Sequence, residues 1–172
     1  GKTTTTALIT QILVNAGIDP SAVIGGKLPF IGGNGRVGRS ETIVCEACEY
    51  VDTFLHLEPA LSVILNIDAD HLDYFKTLEN IIRSFHQFAL QTSRLLIING
   101  DDANTRKAVE GIPSEKLLTF GFDEGNRYRA VDIADTKRAC ERFTVLKDGA
   151  PLCEVSLRIP GKHNIYNALA AV

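Results

Sequence analysis

Five stretches in the middle of the chain constrain its fold more than any other feature. Residues 61–67 and 94–98 are apolar runs without polar alternation, as in strands buried on both faces, and 116–120 reads as another strand. Between them, Thr77 opens a segment whose apolar residues Leu78, Ile81, Ile82, Phe85, Phe88 and Ala89 recur at helical spacing. Residues 102–110 read as a shorter helix. Strands that alternate with helices imply βαβ units, and therefore a parallel sheet.

The flanks have a different texture. Residues 3–16 predict a helix with Leu8, Ile9, Ile12 and Leu13 on one stripe and Gly17 as its stop. Four consecutive threonines at its start are poor helix formers, so propensity did not select them. Residues 22–24 and 42–45 predict short strands, and the glycine-rich 25–38 between them a loop or irregular hairpin. Past Gly121 no helix intervenes: 127–135, 142–146 and 152–159 predict antiparallel strands, with Lys147-Asp148-Gly149 as a tight turn. Pro160-Gly161 then precedes a last helix from about Asn164. The expected architecture is α/β: a P-loop-type, mostly parallel sheet flanked by helices, with a small antiparallel β appendage near the C-terminal end.

Composition narrows the function classes. The 172 residues suffice for one domain with an adequate core. Eighteen Lys and Arg against 21 Asp and Glu argue against a nucleic-acid footprint or a polybasic membrane anchor. No apolar run reaches the length of a membrane span. Cys45, Cys48, Cys140 and Cys153 are expected to be buried, reduced thiols of a cytoplasmic protein, since Cys45-Glu46-Ala47-Cys48 lacks the second half of a zinc site. The chain contains no Met, opens on Gly1-Lys2-Thr3 and closes inside a helical pattern, so it is expected to be a piece of a longer protein.

Several residues carry candidate chemistry. Gly1-Lys2-Thr3 before a helix matches the back half of a phosphate loop. There, backbone N–H groups hold phosphate oxygens, the Lys reaches the β- and γ-phosphates, and the Thr hydroxyl ligates Mg²⁺. An ordinary helix start is the alternative. Glu46 follows the 42–45 strand, and His71 follows the 61–67 strand within Asn66-Ile67-Asp68-Ala69-Asp70-His71-Leu72-Asp73. Ligands of open parallel sheets bind beyond the carboxyl ends of strands, so Thr3, Glu46 and His71 are candidate metal ligands. Oxygen donors suit Mg²⁺, while an imidazole also tolerates Mn²⁺. The competing reading of His71 is a loop histidine bonded to backbone, and of Asp68, Asp70 and Asp73, turn and cap residues. His56 and His86 lie on apolar helical patterns and read as packing or surface residues. Asn164 and Asn167, one turn apart beside His163, read either as helix caps or as contacts to a nucleotide base or ribose.

Taken in order, four motifs resemble the Mur ligase family. They are Gly1-Lys2-Thr3-Thr4-Thr5, Glu46-Ala47-Cys48-Glu49-Tyr50, the Asn66–Asp73 run, and Gly161-Lys162-His163-Asn164-Ile165-Tyr166-Asn167-Ala168. The resemblance covers essentially the whole chain. It implies a central ATP-binding domain, flanked in the same chain by an N-terminal domain that holds a UDP moiety and a C-terminal domain that helps bind an amino acid. The implied reaction consumes ATP to form an acyl phosphate, which the amino acid's amine attacks. By matching motif, Gly1, Lys2, Thr3 and Thr4 would hold the triphosphate, with Thr3 on the first Mg²⁺. Glu46 would ligate metal, and His71 would hold a second metal near the γ-phosphate. His163, Asn164 and Asn167 would contact the nucleotide, and 33–38 would lie near the sugar nucleotide. Lys2, Glu46 and His71 would thus be the catalytic residues. Asp70-His71-Leu72-Asp73-Tyr74-Phe75 and Glu49-Tyr50 lean towards the member that joins L-alanine to UDP-N-acetylmuramate. Ligases of murein tripeptide, folylpolyglutamate or cyanophycin, and a P-loop module without ligase chemistry, are the alternatives. Cys48 stands where the family commonly has Asp.

Overall fold

The computed structural model describes residues 1–136 and 140–172, with the side chains of 135, 136 and 140 outside the described set. The side chain of Cys140 therefore lies outside the described residues. The chain forms two compact units, residues 1–47 with 171–172, and residues 48–170.

The first unit contains helix α1 (Lys2–Asn15) and a sheet of β1 (Ser21–Leu28), β2 (Gly33–Arg36) and β3 (Ile43–Cys45), in the order β2-β1-β3. β1 pairs antiparallel with β2 and parallel with β3. The glycine-rich stretch is thus the irregular hairpin arm of the two readings, closed by a 3₁₀ turn (Pro29–Ile31) and left-handed Gly32. β1 runs beyond the expected 22–24 to Leu28, which pairs with Gly33 past an irregularity in register between Val23 and Leu28.

The expected stripe on α1 is corrected. Its buried residues are Thr5, Thr6 and Thr10, while Ile12 is 43% exposed. Thr6 and Thr10 donate their hydroxyls to the carbonyls of Lys2 and Thr6, so they enter the interior with those groups satisfied. At the C-terminus, Gly17 N–H reaches Val14 O and Ile18 N–H reaches Leu13 O, a Schellman closure around left-handed Gly17.

The second unit is built on six strands in sequential order: β4 (Leu61–Ile64), β5 (Leu95–Asn99), β6 (Leu117–Gly121), β7 (Tyr128–Thr136), β8 (Cys140–Lys147) and β9 (Ala150–Leu157). β4 through β7 are parallel, and β7 through β9 antiparallel. The antiparallel appendage therefore continues the parallel sheet. Asp148 and Gly149 both have positive φ, as a two-residue type I′ hairpin requires.

The expectation that 61–67 is a strand buried on both faces is corrected twice. β4 stops at Ile64, and its burial alternates, with Ser62 and Ile64 buried, Val63 half-buried and Leu61 59% exposed. An apolar run states which residues can be buried, not which face of the strand the core covers. Beyond Ile64 the chain leaves the ladder, and side chains take over: Asn99 Nδ2 donates to Leu65 O and Asn104 Nδ2 to Ile67 O.

Helices α2 (Leu72–Phe75), α3 (Leu78–Gln91), α4 (Ala103–Ala108) and α5 (Lys162–Leu169) complete the unit. Thr77 caps α3 by accepting from Asn80 N–H, and Asp102 caps α4 by accepting from Thr105 N–H. The stripe read on α3 packs as expected: Ile81 and Ala89 join Ile64, Ile67, Phe75, Leu96, Ile98, Ala108 and Val109 in one core. α5 starts at Lys162, two residues before the expected Asn164, and packs on β6 and β7.

Candidate functional site

In the first unit, the β1–β3 pairing decides where Glu46 goes. Val23 sits opposite Cys45, and Glu46 N–H donates to Val23 O, so Glu46 leaves the carboxyl end of β3 beside Gly25. Its carboxylate accepts from Gly25 N–H at 2.6 Å and from Thr3 Oγ1 at 2.9 Å. A Cβ on Gly25 would lie 2.8 Å from both carboxylate oxygens, and one on Gly26 would lie 3.1 Å from the Thr3 methyl. Only a strand without side chains at 25 admits this approach.

Thr3 and Glu46 are thus brought together at the start of α1, whose first N–H groups and dipole favour an anion. Gly1 is the N-cap and makes no side-chain cap, Lys2 is exposed, and Thr4 is half-buried. A carboxylate and a hydroxyl are the hard oxygen donors Mg²⁺ prefers, so the pair fits that ion. Among the described residues, no three His, Cys, Asp or Glu side chains converge as a metal cage. Residues 33–36 form β2, the partner strand of β1.

His71 belongs to the second unit, at the N-cap of α2, with a left-handed backbone (φ 53°, ψ 38°). Asp70 accepts from its N–H at 2.8 Å. Its ring Nε2 lies 3.8 Å from Glu49 Oε1 and 3.9 Å from Asp70 Oδ2, beyond direct hydrogen bonding. The Tyr50 ring stands 4.8 Å away, tilted by 43°. The neighbours of this imidazole are therefore carboxylates and an aromatic ring. Asp68 accepts from Asn66 Nδ2, consistent with a turn residue, whereas Asp73 reaches across to accept from Tyr50 Oη.

On α5, His163 is exposed and both asparagines are buried. Asn164 Nδ2 donates to Pro160 O at 2.8 Å, and Asn167 Nδ2 donates to Asn164 Oδ1 at 3.1 Å. Next to them lies a site that sequence reading missed. Asp101 accepts from Phe122 N–H, Asp123 N–H, Asn126 Nδ2 and Tyr166 Oη. Burial works to raise the Asp101 pKa, but the bonds from Phe122, Tyr166, Asn126 and Asp123 outweigh it and hold the carboxyl below its usual range. Tyr166 is pushed well above the usual tyrosine range, by burial first and then by Asp101. A signal was present in the doublet Asp101-Asp102 after β5. One aspartate caps α4, and its neighbour is left for another partner.

The thiol expectation is corrected: Cys45, Cys48 and Cys153 are free and exposed. Cys45 sits on an open position of β3, and Cys153 on the solvated stretch of β9. His56 is exposed, while half-buried His86 bonds Ala108 O through Nδ1 at 2.8 Å. Among the described residues, no helix is long and apolar enough to cross a membrane.

Comparison with known proteins matches both sequence and fold. UDP-N-acetylmuramate–L-alanine ligase of Caldanaerobacter subterraneus subsp. tengcongensis is 48% identical over 174 residues, covering all of this chain and 38% of that protein. The crystal structure of UDP-N-acetylmuramate-alanine ligase from Thermotoga maritima superposes with a TM-score of 0.84 at 29% identity, over 99% of this chain and 38% of that one. UDP-N-acetylmuramate:L-alanyl-gamma-D-glutamyl-meso-diaminopimelate ligase from Neisseria meningitides gives 0.85 at 29% identity, over 99% and 56%. The chain thus spans less than two fifths of the length of that first curated relative. The family described as Mur ligase middle domain matches residues 1–172, from the Lys2-Thr3 start of α1 through α5, and the chain belongs to it.

Proposed function

We propose that this chain is the central ATP-binding domain of a ligase that joins L-alanine to the carboxylate of UDP-N-acetylmuramate in peptidoglycan precursor synthesis, a cytoplasmic reaction. The observation that carries the reading is the Thr3–Glu46–Gly25 contact at the start of α1. The names of the relatives support the choice of substrates.

On this reading Lys2 neutralises the β- and γ-phosphates, while Gly1 and Thr4 line the phosphate site at the helix start. Thr3 and Glu46 hold Mg²⁺, and His71 holds a second divalent ion, Mg²⁺ or Mn²⁺, near the γ-phosphate. The bound ions supply the charge screening that two approaching anions need. His163, Asn164 and Asn167 set the nucleotide end of the site through the start of α5. The chemistry asked of these residues is mainly alignment and electrostatics, as phosphoryl transfer generally requires. The sugar nucleotide and the amino acid fall to flanking domains of the same chain, so residues 1–172 alone have no ligase activity.

The test is ADP formation by the full-length protein with ATP, Mg²⁺, UDP-N-acetylmuramate and L-alanine. ADP release that depends on alanine, and falls by at least about a hundredfold in Glu46→Ala and His71→Ala, is expected. Turnover with murein tripeptide but not alanine would move the substrate assignment. Normal alanine-dependent ADP formation by both variants would remove Glu46 and His71 from the site.

A further inference from the structure

The left-handed backbone of His71 is one of four such non-glycine residues that cluster in two adjoining segments. Val51 (φ 54°) and Asp52 (φ 54°) lie in the 3₁₀ segment Tyr50–His56, and His71 (φ 53°) and Lys76 (φ 70°) bracket α2. A β-branched residue such as Val51 rarely adopts this conformation, and burial does not explain it, since Val51 is 49% exposed. Such strain persists only where surrounding contacts over-determine it, and it concentrates at functional sites.

The contacts that hold these segments together are reciprocal. Tyr50 Oη donates to Asp73 Oδ2 at 3.2 Å, and Tyr74 Oη donates to Asp52 Oδ2 at 2.7 Å. Each segment thus supplies one tyrosine donor and one aspartate acceptor. Ser84 of α3 donates to the other oxygen of Asp52, which ties the pair to the core helix. The two rings meet edge to face at 6.3 Å, and the Tyr50 ring also touches the imidazole of His71. Tyr50 and Tyr74 are 40% and 38% exposed, so core packing does not account for two aromatic residues here. Phe75, 5% exposed, anchors α2 in the core, and the two straps join Asp73 and Tyr74 of the same short helix to the Tyr50–His56 segment.

We propose that Tyr50 and Tyr74 are positioning residues: their crossed hydrogen bonds to Asp73 and Asp52 fix the segment that aims the His71 imidazole. The inference rests on the role given to His71 above and names what orients it. Removing one hydroxyl leaves the other strap in place, and removing both leaves the Tyr50 ring contact to hold His71 against the Tyr50–His56 segment.

The test uses the full-length protein, with Tyr50→Phe, Tyr74→Phe and the double variant, each also made in a His71→Ala background. Alanine-dependent ADP formation by the unmodified protein is measured first; its absence counts against the proposed function alone. Where it is present, the double variant is expected to lose about tenfold in kcat, with KM values held within about twofold. In the His71→Ala background the same substitutions should cost nothing further, because residues that act through one another are not additive. A full loss in that background, or an unchanged kcat in the double variant, would overturn the proposal. An independent readout is the ¹H–¹⁵N signal of the His71 ring in metal-free protein, assigned through the His71→Ala spectrum. Displaced or broadened His71 signals in the double variant support positioning even if no turnover is found. An unchanged ring signal refutes it.

Discussion

Tyr166 Oη donates to Asp101 Oδ2 at 2.8 Å across 65 positions of sequence, joining α5 to the turn that follows β5. Three further donors converge on the same carboxylate, and the Phe122 ring packs edge-on against Tyr166 at 4.6 Å. The position of the α5 start, with His163, Asn164 and Asn167, is thereby coupled to one half-buried acceptor.

Replacing that acceptor has a calculable consequence. An Asp101→Asn side chain offers one oxygen to four donors and turns an amide on some of them, so a loss of about 2 kcal/mol is expected. Tyr166→Phe removes one donor and should cost about 1 kcal/mol. The Asp101 carboxyl is held below its ordinary 3.8, so its contribution is complete above that value and is lost as pH falls through the lower, folded value. Urea unfolding should show the gap between Asp101→Asn and the unmodified protein at pH 7 and its narrowing below about pH 4. Equal stabilities at pH 7 would contradict the network.

Gly25→Ala places a methyl 2.8 Å from both oxygens of Glu46, so the carboxylate must leave Thr3. Divalent-dependent ADP binding by the full-length protein, read by titration calorimetry with and without Mg²⁺, should weaken at least about tenfold. Gly26→Ala meets only the Thr3 methyl at 3.1 Å and should bind more nearly as the unmodified protein does. Equal Mg²⁺ dependence in both variants would separate Glu46 from the metal.

Leu96 is 1% exposed on β5 and lies inside the core with Ile64, Ile81 and Ile98. Leu96→Ala should cost about 3 kcal/mol in urea unfolding, from lost burial and the cavity left behind. Leu152 on β9 is 49% exposed, and Leu152→Ala should change stability by less than about 0.5 kcal/mol. A comparable cost at both sites would place the core elsewhere.

The hairpin between β8 and β9 turns on Asp148 and Gly149 at φ 49° and 83°. Gly149→Ala should destabilise by about 1 kcal/mol, since alanine resists the left-handed region. Asp148→Gly relieves that resistance but frees Arg127, whose guanidinium bonds both Asp148 oxygens. The two effects oppose each other, and a near-neutral result within about 0.5 kcal/mol is expected. A Gly149→Ala protein as stable as the unmodified one would mean that the turn type is wrong.

The parts of this fold that were legible are those written in local chemistry. The α3 stripe, the helix starts at Thr77 and Asp102, the Gly17 stop and the Asp148-Gly149 turn each follow from neighbouring residues, and each is present. Burial on α1 was not legible, because Thr6 and Thr10 become interior residues only by bonding backward along their own helix. The alternating burial of β4 was equally hidden: an apolar run states what can be buried, not which of its faces the core covers. Of the candidate site, Thr3, Glu46 and His71 were named from position after a helix start or strand end. Asp101, Tyr50 and Tyr74 were not named as site residues, since their partners lie tens of residues away.

By itself, the sequence determined the alternation of strand and helix, the helix starts and turns, and the order of motifs that places the chain among the Mur ligases. These depend on interactions a few residues long, whose energetics the local chain carries. Only the tertiary structure decided that Gly25 admits the Glu46 carboxylate to Thr3, that Asp101 gathers four donors, and that two tyrosines and two aspartates cross beside His71. Each of these depends on strand register and close packing. Those bring distant polar groups within about 3 Å, a distance no residue spacing encodes.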